Sequence, residues 1–258
     1  MDAPQPLQRK QGLLDKYNRI NVYRQMILTL LLLAVINAYY NGVQVVVDSA
    51  IAAASAVFFH FAKSKLRKRE GVEYDSVIIS GLFIGLILSP APLHALVFAS
   101  FIAVMSHFVK INNHHLFNPA MSGIFLAALF LNAGDSWVGA SQLVPVLILG
   151  LLVSHKFRRF HLTLPFLAAY LSLSMAHRLV SNAHPVYHDI FGGLVYFLAF
   201  FMLVEPKTTP ITRNGRIAYG IISAIIIFSL SLAVPKYAAM AGLLVCNLLV
   251  QPIGKFVK

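Results

Sequence analysis

The chain of 258 residues has a single cysteine, nine acidic residues and only 12% charged residues in all. Cys246 sits inside an apolar run, which excludes disulfides, Cys-rich zinc sites and any iron–sulfur cluster held by this chain alone. A redox centre would have to be a bound cofactor or belong to a partner. Catalytic carboxylate pairs, a P-loop, the GxSxG elbow and HExxH are absent too, so no catalytic residue and no metal-ligand set is assigned. With 58% hydrophobic residues and a mean hydropathy of +0.73, the chain has too little polar surface to coat a soluble globule. It reads as an integral membrane protein.

Ten apolar spans are predicted, at residues 25–40, 44–62, 76–89, 93–109, 119–132, 142–154, 162–176, 188–204, 215–234 and 237–253. The runs are continuous, not alternating, and in lipid only helices or closed barrels satisfy the backbone, so the spans are read as helices. The start, MDAPQPLQRKQGLLDKYNR, is polar and too long for a signal-peptide n-region; residues 1–24 are read as a retained basic cytoplasmic arm. Placing that arm inside and alternating puts every Lys and Arg on the cytoplasmic side except Arg178 and Lys236. Such asymmetry is the positive-inside pattern. It accounts for the net charge of +12 without a nucleic-acid partner, and predicts an inner-membrane, multi-pass protein with both termini cytoplasmic and basic loops meeting anionic lipid.

Several spans are short. At about 1.5 Å per residue the span 76–89 reaches roughly 21 Å, against a hydrocarbon core of about 30 Å. Spans 119–132 and 188–204 are also short or broken by glycine, and each adjoins a proline. Such spans at matching places in two halves point to a midplane site in an inverted repeat, although plain core helices give the same pattern. A repeat is visible: Ala120-Met121-Ser122-Gly123 in span five matches Ala239-Met240-Ala241-Gly242 in span ten. Span three, opened by Asp75 and closed by Ser89-Pro90, likewise matches span eight, opened by Asp189 and closed by Glu205-Pro206. Five is odd, so the second copy enters from the other side. The expected fold is all-α: about ten transmembrane helices as two inverted five-helix repeats, residues 25–133 and 134–258. Small-residue helix faces also recur for packing reasons alone.

Polar residues gather at two places. The stretch 110–123, KINNHHLFNPAMSG, packs Lys110, Asn112, Asn113, His114, His115 and Asn118 between apolar runs. Asn118 before Pro119 is a helix start: Asn accepts an orphan N–H and Pro has none. The helix dipole there would favour an anionic or electron-rich ligand. The second place is Glu205-Pro206-Lys207-Thr208-Thr209-Pro210. Glu205 and Lys207 read as an interfacial pair or a snorkelling cap, and Thr208 and Thr209 offer hydroxyls to a ligand or to the loop itself. His114 and His115 lack a third ligand at metal spacing and are read as hydrogen-bonded or solvated. His60, His94 and His107 lie alone on apolar runs, and Asp48, Arg178, His188 and Asp189 fall near the outer side. Of the 29 Phe and Tyr, Phe117 lies beside the polar stretch and could stack on a ring.

Three segments, DSVIISGLFIGLILSPAP, HHLFNPAMSG and FFMLVEPKTTPITRNGRIAYG, in that order, resemble the NqrB/RnfD family, membrane subunits of the sodium-translocating NADH:quinone reductase and of the Rnf complex. The similarity covers roughly residues 20–254. It implies a ten-helix protein of two inverted repeats, carrying flavin within a multisubunit complex that passes electrons and moves sodium or protons. It further implies that Asn113, Phe117, Asn118, Pro119 and Ala120, with Glu205, Lys207, Thr208 and Thr209, line a non-covalent site for flavin (riboflavin or FMN) or quinone. The family's covalent FMN sits on a Thr in an external SGAT-like sequence. The matching place here, Gly139-Ala140-Ser141, has Ser141 and no Thr. Serine could form the same phosphoester, and a small-residue loop needs no such explanation.

The expected function is thus a membrane subunit of a flavin-dependent electron-transfer complex, partnered by other membrane and soluble redox subunits and not active alone. Two other classes stay open: a channel or transporter for a small polar solute with the same fold, and a non-redox anchor for soluble redox partners.

Overall fold

A computed structural model describes residues 21–66, 74–111, 114–181 and 192–257. Nearly all of the predicted arm, and His188 and Asp189 at the start of span eight, lie outside the described residues. Among the described residues the ten predicted spans appear as ten helices: α1 Val22–Asn41, α2 Gln44–Leu66, α3 Asp75–Leu88, α4 Leu93–Ser106, α5 Pro119–Phe130, α6 Leu143–Phe157, α7 Phe160–Ser181, α8 Gly193–Phe197, α9 Arg213–Ala233 and α10 Ala238–Phe256. Helix α8 runs on through a wider π turn, Leu198–Met202. The departure from an all-helical chain is a two-residue ladder, β1 Lys110–Ile111 against β2 His114–His115.

Length and burial divide the helices into two kinds. Segments Val22–Asn41, Gln44–Leu66, Arg213–Ala233 and Pro235–Gly254 are long and apolar enough to cross a membrane, and 28–44% of their apolar windows is buried. Their exposed faces carry Leu28, Val35, Phe58, Ile225 and Leu248, side chains that water would not tolerate in such numbers. Helix α3 is the opposite: ten of its fourteen residues are buried. Helix α5 and the π turn are also mostly buried. Helix α3, helix α5 and the π turn after α8 therefore form the interior of the bundle, whereas α6, also short, has only four of its fifteen residues buried.

Close approach is what allows α3 and α5 to sit inside. A Cβ on Gly81 would strike the backbone of Ala53, one on Gly85 that of Ser49, and one on Gly123 the carbonyl of Ala99. Small residues at such crossings let backbones touch, the dominant packing device between apolar helices. Ser100 adds a hydroxyl bond across to the Ala52 carbonyl, 3.0 Å. Gly242 in α10 instead makes room for the Ile227 side chain of α9.

Three pairs of helices five apart in sequence, α1/α6, α3/α8 and α5/α10, run antiparallel. Tyr23 at the start of α1 and Phe157 at the end of α6 line one cleft, while toward its other end α1 is bonded by the turn before α6, where Ser141 donates to Asn37 at 2.7 Å. The end of α3 reaches the α6 approach, where Ser136 N and Trp137 N donate to Ile87 O, each 3.0 Å. Its start faces Phe201 and Glu205 beyond α8. Phe125 of α5 meets Tyr237 just before α10, and Lys236 donates to Asn132 at 2.9 Å. Helix packing also recurs at this interval: α1 on α3 and α6 on α8, α2 on α4 and α7 on α9, α4 on α5 and α9 on α10.

Replacing Gly123 with leucine is expected to cost about 1–3 kcal/mol through overpacking against Ala99. Gly134→Ala, with open space around it, is expected to be nearly silent. Thermal unfolding of the two variants in the same detergent checks the difference; equal midpoints would contradict this packing.

Candidate functional site

Asn118 begins α5 as its N-cap, with φ −61° and ψ 121°, and its side chain accepts from Met121 N at 3.0 Å. Pro119 follows at the first helical position. The Ser122 amide and hydroxyl both donate to Asn118 O, each at 3.0 Å. The Asn118 amide itself donates to Asn247 Oδ1 of α10 at 2.8 Å, and Asn247 Nδ2 in turn donates to the Tyr219 hydroxyl of α9 at 3.2 Å. All three residues are buried. A broken backbone inside a bundle needs such partners, because each unsatisfied group would cost several kcal/mol in lipid or core.

The second motif follows the π turn. Pro206–Thr208 form one 3₁₀ turn after Glu205. The Thr209 hydroxyl donates to Glu205 O at 3.1 Å, and the Thr208 hydroxyl to Glu205 Oε2 at 3.5 Å. Both threonines are buried. Their hydroxyls hold the turn, one of the two roles open to them from sequence.

The two motifs meet in a cleft of about 410 Å³, counted with its open mouth. Asn118 and Ala120 form one side, and Glu205 and Pro206 another. Helix α3 supplies a face at i, i+3, i+4 and i+7, namely Ser76, Ile79, Ser80 and Phe83. Tyr23 and Met26 of α1, Phe157 at the end of α6 and Phe201 of the π turn complete the wall. The lining combines aromatic and aliphatic walls with amide, hydroxyl and carboxylate groups at a few points. In the first turn of α5 Pro119 has no N–H, Met121 N is capped and Ser122 N is bonded, and Ala120, with the remaining amide of that turn, lines the cleft.

The structure brings Asn118, Ala120 and Glu205 together. Phe117 is half-buried and Pro119, Thr208 and Thr209 are buried just off the lining. Asn113 and the side chains of Lys207, His114 and His115 lie outside what is described. Ser141 is exposed at the other end of α1 from the cleft; it donates to Asn37 Oδ1 and accepts from Asn41 Nδ2 at 3.0 Å. Asp48 is buried, accepting from Gln44 Nε2 at 2.7 Å and from Ala91 N at 3.2 Å, so it caps the chain break after α3. Sequence reasoning did not single out Tyr23, Ser76, Ser80, Phe83, Phe157, Phe201 or Asn247. The spacing of Ser76 and Ser80 on an otherwise apolar helix, and a lone Asn in α10, were the available signals.

Fold and cleft together define a polytopic helical membrane protein with an open cleft at one end of its bundle. The sequence model of the NQR2, RnfD, RnfE family matches residues 15–142 and 125–258. The chain belongs to that family. It is also 34% identical over 94 residues to a subunit of the ion-translocating oxidoreductase complex of Actinobacillus succinogenes, a match covering 34% of this chain and 26% of that relative.

Asn247→Ala leaves the Asn118 amide without its acceptor and is expected to cost about 1–3 kcal/mol. Tyr219→Phe, which removes one neutral bond, is expected to cost about 0.5–1.5 kcal/mol. Because both delete the same Asn247–Tyr219 contact, the double variant should fall short of the sum in thermal unfolding; strict additivity would contradict the coupling.

Proposed function

We propose that this protein is a membrane subunit of an ion-translocating oxidoreductase complex and that its cleft holds a flavin, riboflavin or FMN, without a covalent bond. The observation that carries the reading is the convergence of the FNPA and EPKTT segments on one cleft with aromatic walls. Bound there, a flavin would supply an electron carrier between partner redox subunits or quinone. The chain's own part is positional. Phe83, Phe157, Phe201, Met26 and Ile79 would hold the apolar part of such a ligand and exclude water from it. Ser76, Ser80 and Asn118 would offer it hydrogen bonds. The N-terminal dipole of α5 favours added negative charge nearby.

The ten helices are read here as two inverted five-helix repeats, 25–133 and 134–258, after the arm at 1–24. The antiparallel pairs α1/α6, α3/α8 and α5/α10 support it, as does packing that recurs five helices on. An inner-membrane location with both termini cytoplasmic rests on charge: Lys63, Lys156, Arg158 and Arg216 belong to the cleft end of the bundle, where Tyr23 starts α1 and Thr212 bonds to Val257 O at 3.1 Å. Ser141, by the family's pattern, is the candidate for a second, esterified FMN, and its hydroxyl is held between Asn37 and Asn41. Sodium or proton movement coupled to electron flow is part of the same reading.

Purified protein is expected to show flavin absorbance, reduced severalfold in Ser80→Phe, which fills the cleft, and in Asn118→Ala and Lys207→Ala. Colour fully retained in all three would remove the cleft from the assignment. Intact mass tests the ester separately: an increment equal to bound FMN that disappears in Ser141→Ala supports it, and an unmodified mass overturns it. A colourless protein that takes up solute in proteoliposomes would favour the transporter class, and a colourless one that merely retains redox partners the anchor.

A further inference from the structure

Arg159 lies in the turn between α6 and α7 and is 7% exposed. Its Nη1 donates to Pro210 O at 3.4 Å, while its Nε is buried with no acceptor. Arg216, in the first turn of α9, donates its own Nε to the same Pro210 oxygen at 3.1 Å. Two guanidinium groups thus meet at one neutral carbonyl, and among the described residues no carboxylate pairs with either. The exposed side chains of Arg158 and Arg213 flank them and add positive charge.

One carbonyl is a poor complement for two five-donor cations. A buried charge is ordinarily paired or neutralised. Here burial and the neighbouring Arg216 pull the Arg159 guanidinium down to about 10, which leaves it charged at neutral pH. If the pair were only a staple for the 205–210 segment, a single arginine or a neutral donor would serve, without the repulsion between two. An acceptor-rich anion that two planar forks can share fits the donor set, and tetrahedral phosphate is the group that guanidinium forks match best at a membrane edge.

We propose that Arg159 and Arg216, converging on Pro210, form a phosphate-binding site at the cleft end of the bundle. The phosphate is either the diester of an anionic lipid headgroup or that of a small soluble ligand. No residue of the cleft wall takes part, so the site does not rest on the flavin reading.

The test uses the full chain, delipidated in a phosphate-free maltoside detergent at pH 7 and constant ionic strength, and measures the thermal midpoint. Phosphatidylglycerol, compared with diacylglycerol, probes the lipid source; inorganic phosphate, compared with chloride, probes the soluble one. At least one is expected to raise the midpoint by several degrees in a saturable way. A rise with the lipid alone assigns a headgroup, and a rise with inorganic phosphate assigns a soluble ligand. Arg159→Met and Arg216→Gln should each abolish most of that rise, whereas Arg158→Gln and Arg213→Gln should keep it. Should Arg159→Met fail to fold, Arg216→Gln decides alone, since Arg216 is only half-buried. No rise with either probe, or a rise undiminished in Arg216→Gln, overturns the proposal.

Discussion

The hydrogen bond from the Asn118 amide to Asn247 is the contact on which the cleft depends. A helix that starts inside a bundle exposes amides that have no water to meet, and a partner must come from another element. Asn118 takes care of one amide with its own side chain and gives its own N–H to α10. Asn247 is then committed on both sides, to Asn118 and to Tyr219. The start of α5 is tied in this way to α9 and α10, helices from the far end of the chain. Ala120 can face the cleft only because that start is held.

Length follows the same constraint. Helices that span from one interface to the other can satisfy their ends in headgroups or water. Helices α3, α5 and α8 are too short for that, so their ends fall within the protein and are closed by side chains: Asn118 at the start of α5, Asp48 beyond the end of α3, and Thr208 and Thr209 beyond the π turn. Ends closed by polar groups, surrounded by apolar walls, are what make a ligand cleft in a membrane protein. The cleft is thus a by-product of breaking helices where glycine contacts have already brought backbones close.

Charge is arranged by end as well. Basic side chains gather at the cleft end, and at Arg159 one of them is carried inside the protein. The remaining exposed bases can be solvated or meet lipid, but a buried guanidinium needs acceptors within the fold or from a bound group. Ser141 with Asn37 and Asn41 occupies the opposite end of α1, so the two places singled out for flavin from the family pattern are separated by most of that helix, about 27 Å for the eighteen steps from Tyr23 to Asn41.

Much was legible in the sequence. Continuous apolar runs located all ten helices, since hydropathy alone decides whether a segment can avoid water, and Asn118-Pro119 marked the start of α5 because capping is a local bond between near neighbours. The FNPA and EPKTT segments identified the family. Helix ends were less accurate: α7 extends from Phe160 to Ser181 through Pro165, beyond the predicted 162–176 at both ends. What tertiary structure alone decided was which apolar helices face lipid and which fill the core, since both look alike in composition and differ only in neighbours. It also decided that the Ser76–Phe83 face of α3, Phe157 and Phe201 complete the wall around Asn118 and Glu205, and that Arg159 is buried while Arg158 beside it is exposed. A residue's own chemistry and that of its neighbours along the chain are written in the sequence; the partner it meets across the bundle is set by how the helices pack.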